Sequence, residues 1–224
     1  MTTMVEETAQ RAFDDFGVSI CFNERKVDEF AAILKSSEST KGTAEVAALN
    51  GVLRTALMLG YINLDLCAAC RQYLSTELTT AYEKRQAITK INIIISEGFK
   101  KIYGFENAKK KSFWNTQIRT AIGFVGELEE EYKNIGTELE TYSSDESKFN
   151  QDMRNLSVHY DEDPIKVYDM LASLSAEDVI SRCVDFQHLL VKVAEFVCKL
   201  SDLMLVKSEN KYNMKEMSFP NNKP

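Results

Sequence analysis

The side chains best suited to chemistry lie in residues 153–161, Met-Arg-Asn-Leu-Ser-Val-His-Tyr-Asp. This run contains Arg154, Asn155 and His159, and His159 is one of only two histidines in the chain. Histidine transfers protons near neutral pH, and the arginine fork donates two parallel hydrogen bonds to phosphate oxygens. Cleavage of a phosphodiester without metal needs both: proton transfer at the attacking and leaving oxygens, and a cation beside the phosphorane. Asn155 can both donate and accept, and could orient His159 or a phosphate oxygen.

The spacing of Arg154 and His159 restricts how they could cooperate. Five residues rotate a regular helix by about 140°, so the two side chains do not share one helix face. They converge if the helix ends near Val158, which the Asp-Glu-Asp-Pro run at 161–164 favours. A twofold interface that brings two copies of the run together is the other route to a joint site.

A purely structural interpretation stays open beside the catalytic one. A histidine at a helix C-terminus is stabilised by the helix dipole, and Arg154 could pair with Asp152 or Asp161. In that case the run is a polar helix end with no chemistry, and the protein is a helical interaction or adaptor module.

The segment from Arg154 to Asp161 resembles the signature of the HEPN superfamily, an arginine, four to six intervening residues and then a histidine, often with asparagine after the arginine. The resemblance implies a small all-α, metal-independent endoribonuclease without a cofactor, from a toxin–antitoxin, abortive-infection or phage-defence system. Arg154 and His159 would then be catalytic, with Asn155, Tyr160 and Asp161 supporting them. It also implies a homodimer with a composite cleft, RNA as the substrate, and an antitoxin or nucleotidyltransferase as partner.

The composition predicts the helices that must position this run. Only three prolines and nine glycines occur in 224 residues, and such scarcity of turn residues favours an all-α antiparallel bundle of long helices. The formal net charge of −7 disfavours broad nonspecific binding of nucleic acid. A local basic patch is still offered by Lys109, Lys110 and Lys111, although a solvated loop or helix start is the more common role of such a run.

Apolar periodicity gives the approximate bounds of the helices. We expect them at residues 5–16 with Gly17 as a stop, 25–34, 43–74, 78–103, 112–139, 145–158, 164 onward and 175–206. Residues 36–42 are predicted as a linker, and Asp163 before Pro164 as a helix cap. A single domain is expected over 1–208, with 1–42 as an N-terminal helical extension and 209–224 as a disordered tail.

Five cysteines and no secretory signal predict reduced thiols and a cytoplasmic location. The most apolar stretch, 56–70, is interrupted by polar residues and is too short to span a bilayer, so no membrane is expected. Cys67 and Cys70 have a redox or zinc-ligand spacing, but no second pair follows. Two buried small residues on one helix face is the favoured interpretation.

The remaining candidates have ordinary structural explanations. The acidic run around Glu129 is expected to be a solvated face, His188 a surface or boundary histidine, and Trp114 a core anchor. Neither histidine has a glutamate three residues before it, so a metal–carboxylate bundle ranks last and no metal is predicted.

Overall fold

A computed structural model describes residues 4–38, 42–77, 80–145, 148–149 and 163–217. All regular structure in these ranges is helical, which confirms the predicted all-α bundle. The first three helices are α1 (Met4–Glu38), α2 (Ala44–Leu74) and α3 (Ala81–Ile102). They are followed by α4 (Arg119–Ile122), α5 (Glu129–Ser144), α6 (Pro164–Ser173) and α7 (Ala176–Met217).

Helix α1 is continuous, so the predicted stop at Gly17 is wrong. An interior glycine costs a helix only about 1 kcal/mol relative to alanine, and here tertiary packing outweighs that cost. Gly17 lies against the guanidinium of Arg71, which also stacks 4.4 Å from the ring centre of Phe13. The residue therefore provides a close approach between two helices.

Helices α1 and α2 form an antiparallel hairpin. The Ser37 hydroxyl donates to the Asn50 side chain at 2.5 Å, near the connection. Farther along, Val27 lies directly over Gly60. Residue numbers rise on one helix as they fall on the other, which is the pattern of an antiparallel pair.

Helix α2 runs through the core. Its first turn is capped by Thr43, whose hydroxyl accepts from the N–H of Val46, and its residues Val52, Leu66 and Ala69 have no exposed surface. It is the one described helix long and apolar enough to cross a membrane, but half of its most apolar window is buried inside the protein. Contacts with α1, α3 and α7 explain this hydropathy as that of a core helix.

Helix α3 has a distinct signal at each end. Thr80 and Glu83 form a capping box at its start. After its end Gly104 takes a φ of 84°, a left-handed conformation that favours glycine.

The predicted single helix over 112–139 is wrong. The chain makes one wide π-type turn at Trp114–Ile118, then the short α4, then a tight turn at Gly126–Leu128 before α5 begins. The bend lets Trp114 stack on Tyr132 with ring centres 4.8 Å apart. In an unbroken helix these residues would be about 27 Å apart, so burial of the single tryptophan decides against the regular helix.

Helices α5 and α7 lie antiparallel and are joined by exposed ion pairs. Lys207 meets Glu127, two residues before α5, at 2.8 Å, and Lys199, about two turns earlier in α7, meets Glu131. The acidic run is thus on a solvated face, as expected, but it faces lysines of α7. That helix continues to Met217, farther than its sequence pattern predicts.

Candidate functional site

The five residues of the predicted site lie outside the part of the chain that the structure describes. They are Arg154, Asn155, His159, Tyr160 and Asp161, all within residues 150–162. The predicted helix over 145–158 falls largely in the same gap. Whether the side chains of Arg154 and His159 converge stays a prediction. The structure describes the residues on either side of the gap, Phe149 before it and Asp163 after it.

The chain enters the segment from an aromatic cluster. The ring of Phe149 lies 4.6 Å from that of Phe105 in an edge-on arrangement, 5.0 Å from Phe99 and 5.2 Å from Tyr142. Aromatic pairs in such geometries contribute about 0.5–1.5 kcal/mol beyond the area that they bury. Phe149 is therefore fixed to the ends of α3 and α5.

The chain leaves the segment at a well-defined helix start. The carboxylate of Asp163 accepts the N–H of Ile165 at 3.0 Å, and Pro164 is the first residue of α6. This is the cap that the Asp-Pro sequence predicts.

Beside Phe149, the surface between α5 and α7 contains a polar groove of about 410 Å³. We call it the polar groove. Its lining residues are Thr137, Glu138, Thr141, Tyr142, Asp145, Lys148, Asp185, His188, Leu189 and Lys192. Lys148, two residues before the undescribed segment, thus belongs to both the groove and the approach to the segment.

The lysines of the polar groove are already paired. Lys148 Nζ lies 2.7 Å from Asp185 Oδ2, and Lys192 Nζ lies 2.6 Å from Glu138 Oε2. The hydrogen bond with Asp185 raises the pKa of Lys148. With Asp145 as a third carboxylate, the groove offers phosphates no net positive charge unless an ion pair opens.

Two groups in the polar groove are suited to proton transfer or hydrogen bonding. His188 is exposed there, and histidine is the side chain that most readily transfers protons near neutral pH. The Tyr142 hydroxyl is buried and has no hydrogen-bond partner among the described residues. Burial raises the pKa of Tyr142, so this hydroxyl stays a donor at neutral pH.

Sequence reasoning gave His188 a surface position, and its exposure confirms this. It missed that His188 shares a groove with Lys148, forty positions earlier in the chain. A signal was present in α7, because Asp185, His188 and Lys192 repeat at helical spacing on one face. Nothing local indicated that this face meets the end of α5.

The cysteines form no metal centre. Cys67 and Cys70 are buried in α2, as expected, and no group of three or more histidine, cysteine or acidic side chains in the described ranges could hold a metal ion. Burial raises the pKa of Cys67 to about 11, which keeps it a neutral thiol.

The structure also describes two further candidates from the sequence, Trp114 and the basic run at 109–111. Trp114 is 2% exposed and anchors the core, as expected. In the basic run, Lys109 is paired with Glu140 at 2.7 Å, whereas Lys110 and Lys111 are exposed to solvent.

No protein-family model, no curated protein and no solved structure matches this chain.

Proposed function

We propose that this protein is a metal-independent endoribonuclease of the HEPN type. The observation that carries the proposal is the Arg154-Asn155-x-x-x-His159 spacing, on an all-α bundle. Arg154 and His159 are the catalytic residues of the proposal, and Asn155, Tyr160 and Asp161 support them.

The proposed reaction is an internal transesterification of RNA. His159 accepts the proton of a 2′-hydroxyl, whose oxygen forms a bond to the adjacent phosphorus, and the bond to the 5′-oxygen breaks. Arg154 donates two hydrogen bonds to the phosphorane oxygens and stabilises the added negative charge. The leaving 5′-oxygen takes a proton from a protonated His159 imidazole, and the other product ends in a 2′,3′-cyclic phosphate.

Features of the described residues support a site near the polar groove. Phe149 fixes the chain where it enters the motif segment, and Lys148 lies in the groove itself. His188, the one histidine among the described residues, lines the same groove as Lys148. Opening of the Lys148–Asp185 pair would release a cation toward phosphate.

The location, substrate and biological role that we propose rest on the same resemblance to the HEPN superfamily. All five cysteines are free thiols, in keeping with a cytoplasmic protein. RNA is the proposed substrate, and a toxin–antitoxin or defence role with an antitoxin or nucleotidyltransferase partner is the proposed context. We also propose a homodimer as the active form.

The test is cleavage of structured and unstructured RNA in EDTA by the wild type, Arg154→Ala and His159→Ala. Loss of general acid–base catalysis costs about 10²–10⁴-fold in rate, which is the fall expected for His159→Ala. Loss of one donor to a developing negative charge costs about 10²–10³-fold, which is the fall expected for Arg154→Ala. Lys133→Ala, a change at an exposed lysine of α5, is the matched control. A wild-type protein that cleaves none of a diverse set of RNAs, or equal activity in all variants, would contradict the proposal.

A second candidate function, a non-catalytic helical interaction module, is favoured by a different observation. An apolar groove of about 480 Å³ runs between α1, α2 and α7. A module of this kind predicts no cleavage and an Arg154 guanidinium bonded to a carboxylate of its own chain. Mapping by hydrogen–deuterium exchange with and without RNA separates the two functions, because only the enzyme should protect residues 150–162.

A further inference from the structure

One face of α1 is exposed although it is apolar. Val18 is 72% exposed, Phe22 52% and Ile33 44%. At about 100° per residue, these positions fall with Lys26 and Glu29 within a sector of about 80°. We call these five residues the α1 face.

The opposite side of α1 holds the helix to its own bundle. Val27 is 5% exposed, and its Cγ2 lies only 2.6 Å from where a Cβ on Gly60 would stand. The α1 face therefore points away from the core, and its exposure is a consequence of how α1 docks on α2.

Four of the five residues of the α1 face, all except Val18, belong to one wall of the apolar groove. Phe22, Lys26 and Ile33 line that wall, and Ala56 and Leu59 of α2 form the floor. The opposite wall belongs to α7 and includes Val191, which is 54% exposed. Exposed apolar side chains on both walls of one groove are typical of a binding surface.

The order of residues on the α1 face is self-complementary. Phe22 and Ile33 are symmetric about a point between Val27 and Asp28, and Lys26 and Glu29 are symmetric about the same point. When two identical helices pair antiparallel across a twofold axis on that point, each Phe22 faces Ile33 and each Lys26 faces Glu29.

Charge selects the antiparallel orientation. Lys26 and Glu29 are both exposed, at 46% and 59%, and pair at 2.7 Å within one helix. In the antiparallel dimer they exchange partners and form two pairs between chains. A parallel pairing would set Lys26 against Lys26 and Glu29 against Glu29, which is repulsive.

We infer that the α1 face is the interface of a homodimer, in which a second copy lays its α1 antiparallel in the apolar groove. Apolar contact of Phe22 with Ile33 supplies most of the affinity, and the exposed ion pairs set the register. The two α1 helices and the two α7 walls then form a four-helix layer. This interface is argued from these residues alone and does not depend on RNA cleavage.

The first test is the mass of the full chain in solution, by light scattering and sedimentation equilibrium at micromolar concentration. We expect a dimer for the wild type. Phe22→Glu and Ile33→Glu should each raise the dimer Kd at least about tenfold, with unchanged helix content because both side chains are exposed. A monomeric wild type, or folded Phe22→Glu and Ile33→Glu proteins that remain fully dimeric, would overturn the inference.

Charge reversal tests the register. Lys26→Glu alone and Glu29→Lys alone set like charges opposite each other in a homodimer, and each should raise Kd by at least about tenfold. An equimolar mixture of the two variants should dimerise again, because every cross-chain pair is then complementary. The ion pair between positions 26 and 29 within one chain cannot explain such a rescue, because mixing two variants leaves the residues of each chain unchanged.

Lys133→Glu is the matched control, since Lys133 is an exposed lysine paired with Glu129 one turn away on α5. It should leave Kd unchanged. Single variants that stay monomeric when mixed would contradict the antiparallel register and overturn the inference.

Discussion

Cys70 of α2 and Cys183 of α7 meet in the core with their Sγ atoms 3.5 Å apart. This distance is a thiol–thiol hydrogen bond and is longer than the roughly 2.05 Å of a disulfide. Both side chains are 3% exposed, so the contact joins two helices inside the bundle. The hydrogen bond and burial raise the pKa of Cys70.

The exposure of the cysteines predicts a two-class reaction with a thiol reagent. Cys21 and Cys198 are exposed and should both react in the native protein, Cys198 more slowly because it lines the apolar groove and burial raises its pKa. Cys67, Cys70 and Cys183 are buried and should react only after unfolding, because a neutral buried thiol is a poor nucleophile. The measurement is the number of thiols that react with and without denaturant. Fast reaction of all five thiols in the native protein would contradict the burial of Cys70 and Cys183 in the core.

Gly60→Ala should weaken the α1–α2 hairpin. The new methyl would meet Val27 at 2.6 Å, and overpacking of this kind costs about 1–3 kcal/mol, against roughly 1 kcal/mol gained in helix propensity. We expect a lower free energy of unfolding in urea. Gly126→Ala is the control, because a Cβ there meets nothing within 4 Å and its stability should change little.

Phe149→Ala should cost about 1–3 kcal/mol of stability, since the ring contacts Phe99, Phe105 and Tyr142 but is only half-buried. If the proposed site is correct, RNA cleavage at a temperature where the variant is fully folded should also fall. Phe149→Leu should recover most of the stability. Full activity in a folded Phe149→Ala protein would show that this anchor does not position the motif.

Glu140 gives a pH dependence of stability with a definite sign. Hydrogen bonds from Lys109 and from Tyr103 lower the pKa of Glu140 in the folded state. A lowered folded pKa stabilises the protein above the unfolded pKa of glutamate, and this contribution is lost as the pH falls through the folded value.

Glu140→Gln should therefore reduce stability at neutral pH by about 0.2–1 kcal/mol, the usual range for an exposed pair, and flatten the loss of stability in acid. Thermal unfolding followed from pH 7 down through the carboxylate range measures both effects. Glu130→Gln, an exposed position on the same helix, is the control and should keep the wild-type slope.

The sequence by itself determined the elements that depend on neighbouring residues. Apolar periodicity predicted a helix over 43–74, the Asp163 cap predicted the start of α6, and few turn residues predicted an all-α chain. Local interactions within three or four residues set such features, so they can be read from the chain directly. The Arg154–His159 spacing is also a local signal, and its catalytic meaning stays a prediction.

Only the tertiary structure decided the features that join distant residues. Gly17 continues a helix because Arg71 packs on it, and the helix expected over 112–139 bends because Trp114 stacks on Tyr132. The groove that His188 and Lys148 both line, and the exposure of Phe22 and Ile33, follow from how α1, α5 and α7 pack on the core. Burial of large side chains over long sequence separations outweighs local helix propensity, and no window of the sequence contains that information.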